Sequence, residues 1–448
     1  MLNSALICPA PPKSFNIERA ERSAIRSLQD ESLRRLIERT WRSVPFYRDL
    51  WRSAGVEPRH IKGIDDIKLL PIVTKRQLEE SLVNKPPFGS HQGSFHPMRI
   101  QASSGSTGKP KPFFQTKRDW QNIANFWARR LYAQGVRRGD TVQISFTYAL
   151  FIPGFTSSEG AMRLGATVIP TGSGAVTTSE RQVEIAREWG STILGCTGTY
   201  ALRLADVAEA MGYDTRRDFH LRRTFHTAEP LTDATRQRIQ ERWNVKSFDN
   251  YGSVETGAPA WECEEQDGMH INEDAYYFEI VHPDTNEPLP DGDQGAVVVT
   301  SLFKEATPVI RYKIGDVASI IPGKCRCGRT FRRLSKIKGR LDDMLKIKGI
   351  AVYPTAIDAV LRGFSELGSD YCIIVDAPDG QDEITVRSEL VAGVLAPSNL
   401  QSSITKQLKA KVGVNCVVEL LPTGGLQQGQ DVDRWIKSRR LIDKRPKG

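Results

Sequence analysis

The period of hydrophobic positions changes several times along the chain. Between residues 15 and 60, apolar residues recur at mixed three- and four-residue spacing, as in LRRLIERTWRSVPFYRDLW, which predicts helix broken at Pro45. The middle of the chain alternates short apolar runs with amphipathic stretches. TVQISF (141–146), ATVIP (166–170), STILGC (191–196) and RRTFHT (222–227) predict buried strands. EGAMRL, TSERQVEIAREW, YALRLADVAEAM and TDATRQRIQERW between them predict helices, and this alternation predicts α/β layers on parallel strands. From about residue 276 the texture changes to period two between turn clusters, in YYFEIVHPDTNEPLPDGDQGAVVVTSL, as expected of antiparallel strands. Beyond about residue 340, a helix after a proline start (VYPTAIDAVLRGF), strands at YCIIVD, EITVRSEL and NCVVELL, and a helix at SNLQSSITKQLKAKV predict a small α+β unit. The expected fold is therefore α/β: a large N-terminal domain of layered sheets, residues 1–341, and a small, mobile C-terminal α+β domain, residues 342–448. No repeat or low-complexity tether separates them, so the boundary reads as a short hinge.

Composition narrows the class. At 448 residues the chain is too long for one compact core, and 39% hydrophobic with 26% charged residues is near the globular average. The net charge of +9 suits an anionic partner. Its lysines and arginines are scattered apart from a cluster near 434–447, and no reader module accompanies them, so nucleic acid is disfavoured. No apolar run reaches membrane-spanning length, and MLNSALICPAPPKSF lacks the charged start of a cleaved signal. Seven cysteines do not make a disulfide scaffold, and a reducing cytoplasm is the expectation.

Candidate chemistry begins at 102-ASSGSTGKPKPFF-114. Ser103, Ser104, Ser106 and Thr107 offer hydroxyls, Gly105 and Gly108 let backbone N–H groups approach an anion, and Lys109 adds a charge. Ser103 and Pro110 break the Walker pattern, so this is a phosphate loop of another kind; alone, such a stretch is more often only a turn. Elsewhere Cys263, His270, Cys325 and Cys327 make a Cys₃His set, the usual composition of a structural zinc site. Its C-x-C knuckle is shorter than the common C-x₂-C, and reduced, metal-free cysteines are the other reading. Cys8, Cys196, Cys372 and Cys416 read as buried or incidental.

The loop keeps specific company: 226-HTAEPLTD-233, 249-DNYGSVETG-257, 311-RYKIGDV-317 and 339-GRLDDMLKIKGIAVYP-354 follow in order. Read singly, Tyr251 could be core, Glu255 a surface acid and Asp316 a turn aspartate. In this order the set resembles the adenylate-forming superfamily of acyl-CoA synthetases, and more narrowly the phenylacetate-CoA ligase family. SVPFYRDLW, YALF at 148–151 and GMHINEDAYYFEI fit that family too, so the resemblance runs from about residue 30 to the C-terminus.

The resemblance implies roles. The 103–109 loop would hold the β- and γ-phosphates of ATP, Tyr251 would pack on adenine, Asp316 would bind ribose, Arg340 would read the nucleotide and Glu255 would bind Mg²⁺. Ala228, Glu229, Asp249, Gly252 and Ser253 would complete the ATP site. Tyr148, Phe151, Ile152, Gly172 and Pro230 would line the acyl pocket, where Ile152 stands in place of the family's hydroxyl residue. Asp342 would be the hinge, and Lys348, Gly349 and Tyr353 would face coenzyme A. Lys437, within 436-IKSRRLID-443, would be the catalytic lysine, although Ile436 replaces the usual glycine and the preceding loop is longer; one more lysine in a basic tail is the plain alternative. Several relatives carry the Cys₃His pattern, and some bind zinc there. The implied activity is ATP-dependent ligation of an aryl or arylalkyl carboxylic acid to coenzyme A through an acyl-adenylate. A carrier-protein or amine acceptor, and nucleotide binding without turnover, are the competing expectations; a homodimer is possible.

Overall fold

The computed structural model describes residues 13–93, 96–103, 110–341, 344–347, 350–377, 382–391, 393–394, 396–426 and 441–445. The expected positions Ser104, Gly105, Ser106, Thr107, Gly108, Lys109, Asp342, Lys348, Gly349 and Lys437 lie outside the described residues.

A large α/β domain precedes a smaller C-terminal α/β unit. At the N-terminal side, helix Arg22–Ser43 is followed at once by helix Pro45–Ser53. Pro45 sits in the first turn of the second helix, where its missing N–H costs nothing, so the break predicted from sequence is a restart. Threonines start most of the later helices. Thr74, Thr116, Thr178, Thr197 and Thr232 each accept a backbone N–H at a helix N-cap.

The main sheet has nine strands. Thr167–Ile169, Thr141–Ile144, Ile193–Gly195, Arg223–His226 and Lys246–Ser253 lie side by side and parallel, joined by the predicted helices. The sheet then turns antiparallel through Gly257–Glu262, Met269–Ile271, Arg333–Leu334 and Ile320–Ile321. The sequence placed this change near 276. It comes earlier because Gly257–Glu262 is buried at every position, which removes the period-two signal. A second sheet sets Tyr312–Ala318 between Gly295–Ser301 and the short strands Val73–Thr74 and Gly339–Arg340. A hairpin, Arg99–Ser103 with Lys111–Gln115, brackets the phosphate-loop stretch. Helix Lys117–Ala133, not foreseen from sequence, buries Trp120, Ile123, Phe126, Trp127 and Leu131.

The C-terminal unit is a four-stranded sheet ordered Cys416–Leu421, Glu383–Leu390, Leu367–Asp376, Leu441–Asp443, with its own core. Thr355 Oγ1 donates to Lys338 O at 2.5 Å and Arg238 Nη2 to Leu367 O at 3.1 Å, linking it to the large domain. No helix among the described residues is long and apolar enough to cross a membrane.

Arg311 ties the N-terminal segment to the second sheet. Its guanidinium grips the Glu279 carboxylate at 2.8 and 3.1 Å and donates to Leu70 O at 2.6 Å, with both charged side chains buried. Arg311→Ala leaves that carboxylate buried without its fork and is expected to lower unfolding free energy by about 3–5 kcal/mol, measured by urea denaturation.

Candidate functional site

Strand Lys246–Ser253 delivers Asp249, Tyr251, Gly252 and Ser253 to the carboxyl edge of the parallel strands, where open α/β sheets bind ligands. The Tyr251 hydroxyl donates to Asp316 Oδ2 at 2.6 Å. Asp316 lies directly across the ladder from Arg340, whose Nε is 3.4 Å from Asp316 Oδ1 and whose Nη2 donates to Ile314 O at 3.3 Å. Three residues singled out over a span of about ninety positions thus form one contiguous patch across two sheets. Burial and the Asp316 carboxylate push the Tyr251 phenol well above its ordinary value, so it stays a neutral donor.

Glu255 follows in the turn after that strand. It is half-buried, and among the described residues no cation or hydrogen-bond donor holds its carboxylate. Its backbone is held firmly instead: Lys304 Nζ donates to Glu255 O at 2.8 Å, and Tyr276 OH donates to Thr256 O at 2.7 Å. Ser253 Oγ accepts from Thr256 N at 3.2 Å. Lys304 is fully buried, and burial lowers its ammonium to about 8.

Beneath the strand, Asp249 and Glu262 are buried side by side. Arg236 Nη2 donates to Glu262 Oε1 at 2.6 Å, and Asp249 N donates to Glu262 Oε2 at 2.8 Å. Burial, then repulsion from Glu262, pushes Asp249 up to about 7; Glu262 is also raised by burial, and Arg236 opposes that rise. With one guanidinium beside two carboxyls, Glu262 takes the charge and Asp249 keeps the proton.

The 226–233 segment runs over the same edge. Ala228 is held at φ 75°, a left-handed conformation uncommon for a residue with a Cβ, and Glu229 Oε1 accepts from Thr199 N at 2.6 Å. Ala228 and Pro230 are exposed. In the expected acyl segment, Tyr148 OH pairs with Ser158 Oγ at 2.9 Å and its ring meets Phe155 edge-on at 5.0 Å. A Cβ at Gly172 would stand 3.9 Å from the Tyr148 ring, which places these two next to each other. The Ile152 side chain lies in the main core. Strand Arg99–Ser103, which runs into the 104–109 stretch, is fastened to this segment: Gln101 Nε2 donates to Phe151 O at 2.8 Å and Ala102 N to Leu150 O at 3.0 Å. Tyr353 caps helix Pro354–Leu361, and its ring covers Gly339, where a Cβ would come within 2.3 Å.

The four thiol and imidazole groups converge away from this edge. The ligand atoms of Cys263, His270, Cys325 and Cys327 all lie within 4.8 Å of one another. Pairing of Met269–Ile271 with Gly257–Glu262 places His270 opposite Trp261, two residues from Cys263. The knuckle turns at Gly328, φ +77°, whose N–H bonds Cys325 O at 3.1 Å. Cys263 Sγ and Cys325 Sγ are 3.8 Å apart, and Cys327 Sγ is 3.4 Å from His270 Nε2. Zinc with Zn–S bonds of about 2.3 Å in tetrahedral geometry sets sulfurs about 3.8 Å apart, so the donor set fits such an ion. His270 Nδ1 bonds Phe331 O at 3.2 Å, which fixes the ring and leaves Nε2 facing the cluster.

Sequence reasoning missed Lys304, Glu262, Arg236 and Gln101. Lys304 sits in LFKEATP without a periodic or motif signal, and a lone lysine reads as solvated. Glu262 and Arg236 are 26 positions apart and meet only through the fold.

Comparisons with known proteins agree on one family. Residues 52–302 match the AMP-binding enzyme model and residues 349–445 the AMP-binding enzyme C-terminal domain model. The chain is 36% identical over 450 residues to a phenylacetate-coenzyme A ligase of Thermus thermophilus, covering 96% of this chain and 98% of that protein. A crystal structure of 2-hydroxyisobutyryl-CoA ligase in the postadenylation state, with R3-HIB-AMP, superposes with a TM-score of 0.88 at 29% identity, covering 97% of this chain and 93% of that one. The same ligase in the thioesterification state, with 2-HIB-AMP and CoA, gives 0.72 at 30% identity, covering 97% and 94%.

The Asp249 proton makes stability depend on pH. A folded value above the ordinary 3.8 favours the protonated form, so this contribution is full below that pH and lost as pH rises through about 7. Asp249→Asn is expected to lose less stability than wild type between pH 4 and pH 8, compared by thermal unfolding at both pH values.

Proposed function

The chain belongs to the phenylacetate-CoA ligase family of adenylate-forming, AMP-binding enzymes, and from that premise we propose that it joins an aryl or arylalkyl carboxylic acid to coenzyme A at the expense of ATP. The observation that carries this reading is the Tyr251–Asp316–Arg340 patch beside the Glu255 carboxylate, which no hydrogen bond or ion pair holds among the described residues. Tyr251 then offers its ring to adenine, Asp316 accepts from the ribose hydroxyls, and Arg340 adds positive charge to the nucleotide side. Ala228, Glu229, Asp249, Gly252 and Ser253 form the floor. Ser103 to Lys109 hold the β- and γ-phosphates. Glu255 would hold Mg²⁺, a hard cation that commonly takes one or two protein carboxylates and phosphate oxygens and neutralises triphosphate charge.

In the first half-reaction a substrate carboxylate oxygen attacks the α-phosphorus. The new P–O bond forms, the bond to the β-phosphate bridge breaks, and pyrophosphate leaves an acyl-adenylate. Lys437 stabilises charge developing on the phosphoryl oxygens. In the second, the coenzyme A sulfur attacks the acyl carbonyl, the C–O bond to AMP breaks, and the thiol proton passes to solvent. The small domain, starting after Leu341, turns about Asp342 between the two steps and presents Lys348, Gly349 and Tyr353 to the thiol. Tyr148, Phe151, Ile152, Gly172 and Pro230 form the acyl pocket. The Tyr148 ring beside Gly172, an aromatic next to a residue without a side chain, suits a flat ring, and the relatives named for phenylacetate support the aromatic class. The 2-hydroxyisobutyryl relatives make a small branched acid the competing substrate.

A Zn²⁺ ion held by Cys263, His270, Cys325 and Cys327 would staple the knuckle to the main sheet; four protein ligands leave no position for a substrate.

Pyrophosphate release with Mg·ATP is expected with phenylacetate and related aryl acids, followed by a CoA thioester, and is expected to fall at least a hundredfold in Lys437→Ala. A response to 2-hydroxyisobutyrate alone moves the substrate to the branched class, and pyrophosphate without thioester moves the acceptor away from coenzyme A. Purified protein is expected to hold about one zinc per chain by elemental analysis, lost in Cys325→Ser, with unfolding brought to lower temperature by a chelator.

A further inference from the structure

Two lysines are buried among the described residues and unused by the reaction above: Lys111, which pairs with Glu79, and Lys304, which has no ion-pair partner within 4 Å there. Lys304 is fully buried, and among the described residues its ammonium makes one hydrogen bond, to Glu255 O at 2.8 Å. Removing an ammonium from water costs several kcal/mol even after relaxation, and a methionine would fill the same space without that cost. Asp119, the acid whose charge acts most on it, is already occupied by backbone donors: Glu305 N at 2.8 Å, Ala306 N at 3.1 Å and Thr116 N at 3.0 Å. The lysine is thus aimed at a carbonyl and not at an ion-pair partner.

Its own backbone is immobilised. Arg39 Nη2 donates to Lys304 O at 2.6 Å, while Asp119 holds the next two residues by their N–H groups. The ammonium therefore projects from a fixed base onto the turn. On the other side of that turn, Tyr276 OH holds Thr256 O at 2.7 Å, and its ring packs among Phe126 and Phe303. Consecutive carbonyls, 255 and 256, are each held by a buried side chain from outside the turn. The Glu255 backbone is consequently fixed before any ligand arrives, while among the described residues no hydrogen bond or ion pair holds its carboxylate.

We infer that Lys304 is a positioning residue for Mg·ATP, fixing the backbone of Glu255 so that its carboxylate is presented to the cation. This rests on the reading of Glu255 as the Mg²⁺ ligand. Groups that orient a metal ligand are worth roughly 10–100-fold in metal affinity when removed. A long-range attraction between the ammonium and the triphosphate acts in the same direction, but the hydrogen bond makes the effect local to the turn.

The test compares the full chain with Lys304→Met, Tyr276→Phe and Glu255→Gln. ATP binding is measured by calorimetry across Mg²⁺ concentrations without acid substrate, and amide hydrogen exchange is measured without nucleotide or metal. Lys304→Met is expected to raise the Mg²⁺ concentration for half-maximal ATP binding about tenfold, and to speed exchange at residues 252–257 but not across the core. Thioester formation from supplied acyl-adenylate is expected to stay within twofold, because that step does not use the triphosphate cation. Tyr276→Phe keeps the ring and removes only the second brace, so it gives the same direction should Lys304→Met fail to fold. If Glu255→Gln shifts the Mg²⁺ dependence while both brace variants leave it and local exchange unchanged, the role of Lys304 is overturned. If Glu255→Gln leaves Mg²⁺ dependence unchanged, the premise about Glu255 is wrong, and the proposal falls with it for that separate reason.

Discussion

The fold turns on the contact between Gly252 and Gly257. A Cβ at Gly252 would stand 2.3 Å from the Gly257 carbonyl oxygen, a backbone atom that cannot swing aside, and Gly257 itself sits at φ +88°. Only two glycines allow the last parallel strand to reverse this tightly. The reversal converts a parallel sheet, which needs helical crossovers, into an antiparallel one built of short returns. It also leaves Tyr251 and Glu255 at the carboxyl edge and carries the chain back toward Cys263 and His270. The Tyr251–Asp316–Arg340 patch and the thiol–imidazole cluster are thus two products of one turn.

Charge placement around this turn follows a single rule. Carboxylates in the core are matched by arginines, as at Arg311–Glu279 and Arg236–Glu262, or by backbone N–H groups, as at Asp119, or are pushed toward the protonated form, as Asp249 is. Glu255 departs from the rule: it is half-buried, and among the described residues no ion pair or hydrogen bond reaches its carboxylate. Departures of this kind collect where a ligand supplies the missing partner.

Much of the architecture was readable before the coordinates. The parallel strands announced themselves as short apolar runs between amphipathic helices, and DNYGSVETG, RYKIGDV and GRLDD named residues that the fold brings within hydrogen-bonding reach. What was hidden had physical causes. Gly257–Glu262 carries no alternation because both faces are covered. Helix Lys117–Ala133 buries Arg129 and Arg130 beside its tryptophans, and these charges blur an apolar stripe. Lys304 and Gln101 act through backbone carbonyls, contacts that leave no trace in residue type. The roles of the 104–109 and 427–440 stretches fall on residues outside the described set and rest on the family pattern.

The fastening of strand Arg99–Ser103 to residues 150–151 has a consequence for how such an enzyme can change its diet. The strand that ends at Ser103 and the segment proposed to line the acid are one hydrogen-bonded unit, through Gln101 and Ala102. Enlarging the proposed slot by moving the 148–155 backbone therefore moves the Ser103 end of that strand, from which the proposed triphosphate loop departs. By reciprocity, an acid that displaces the segment alters affinity for ATP by the factor that ATP alters affinity for that acid. With those proposed roles, selection on which acid is accepted is also selection on the nucleotide, and new specificities are reached more readily by side-chain replacement on a still backbone than by remodelling the 148–155 segment.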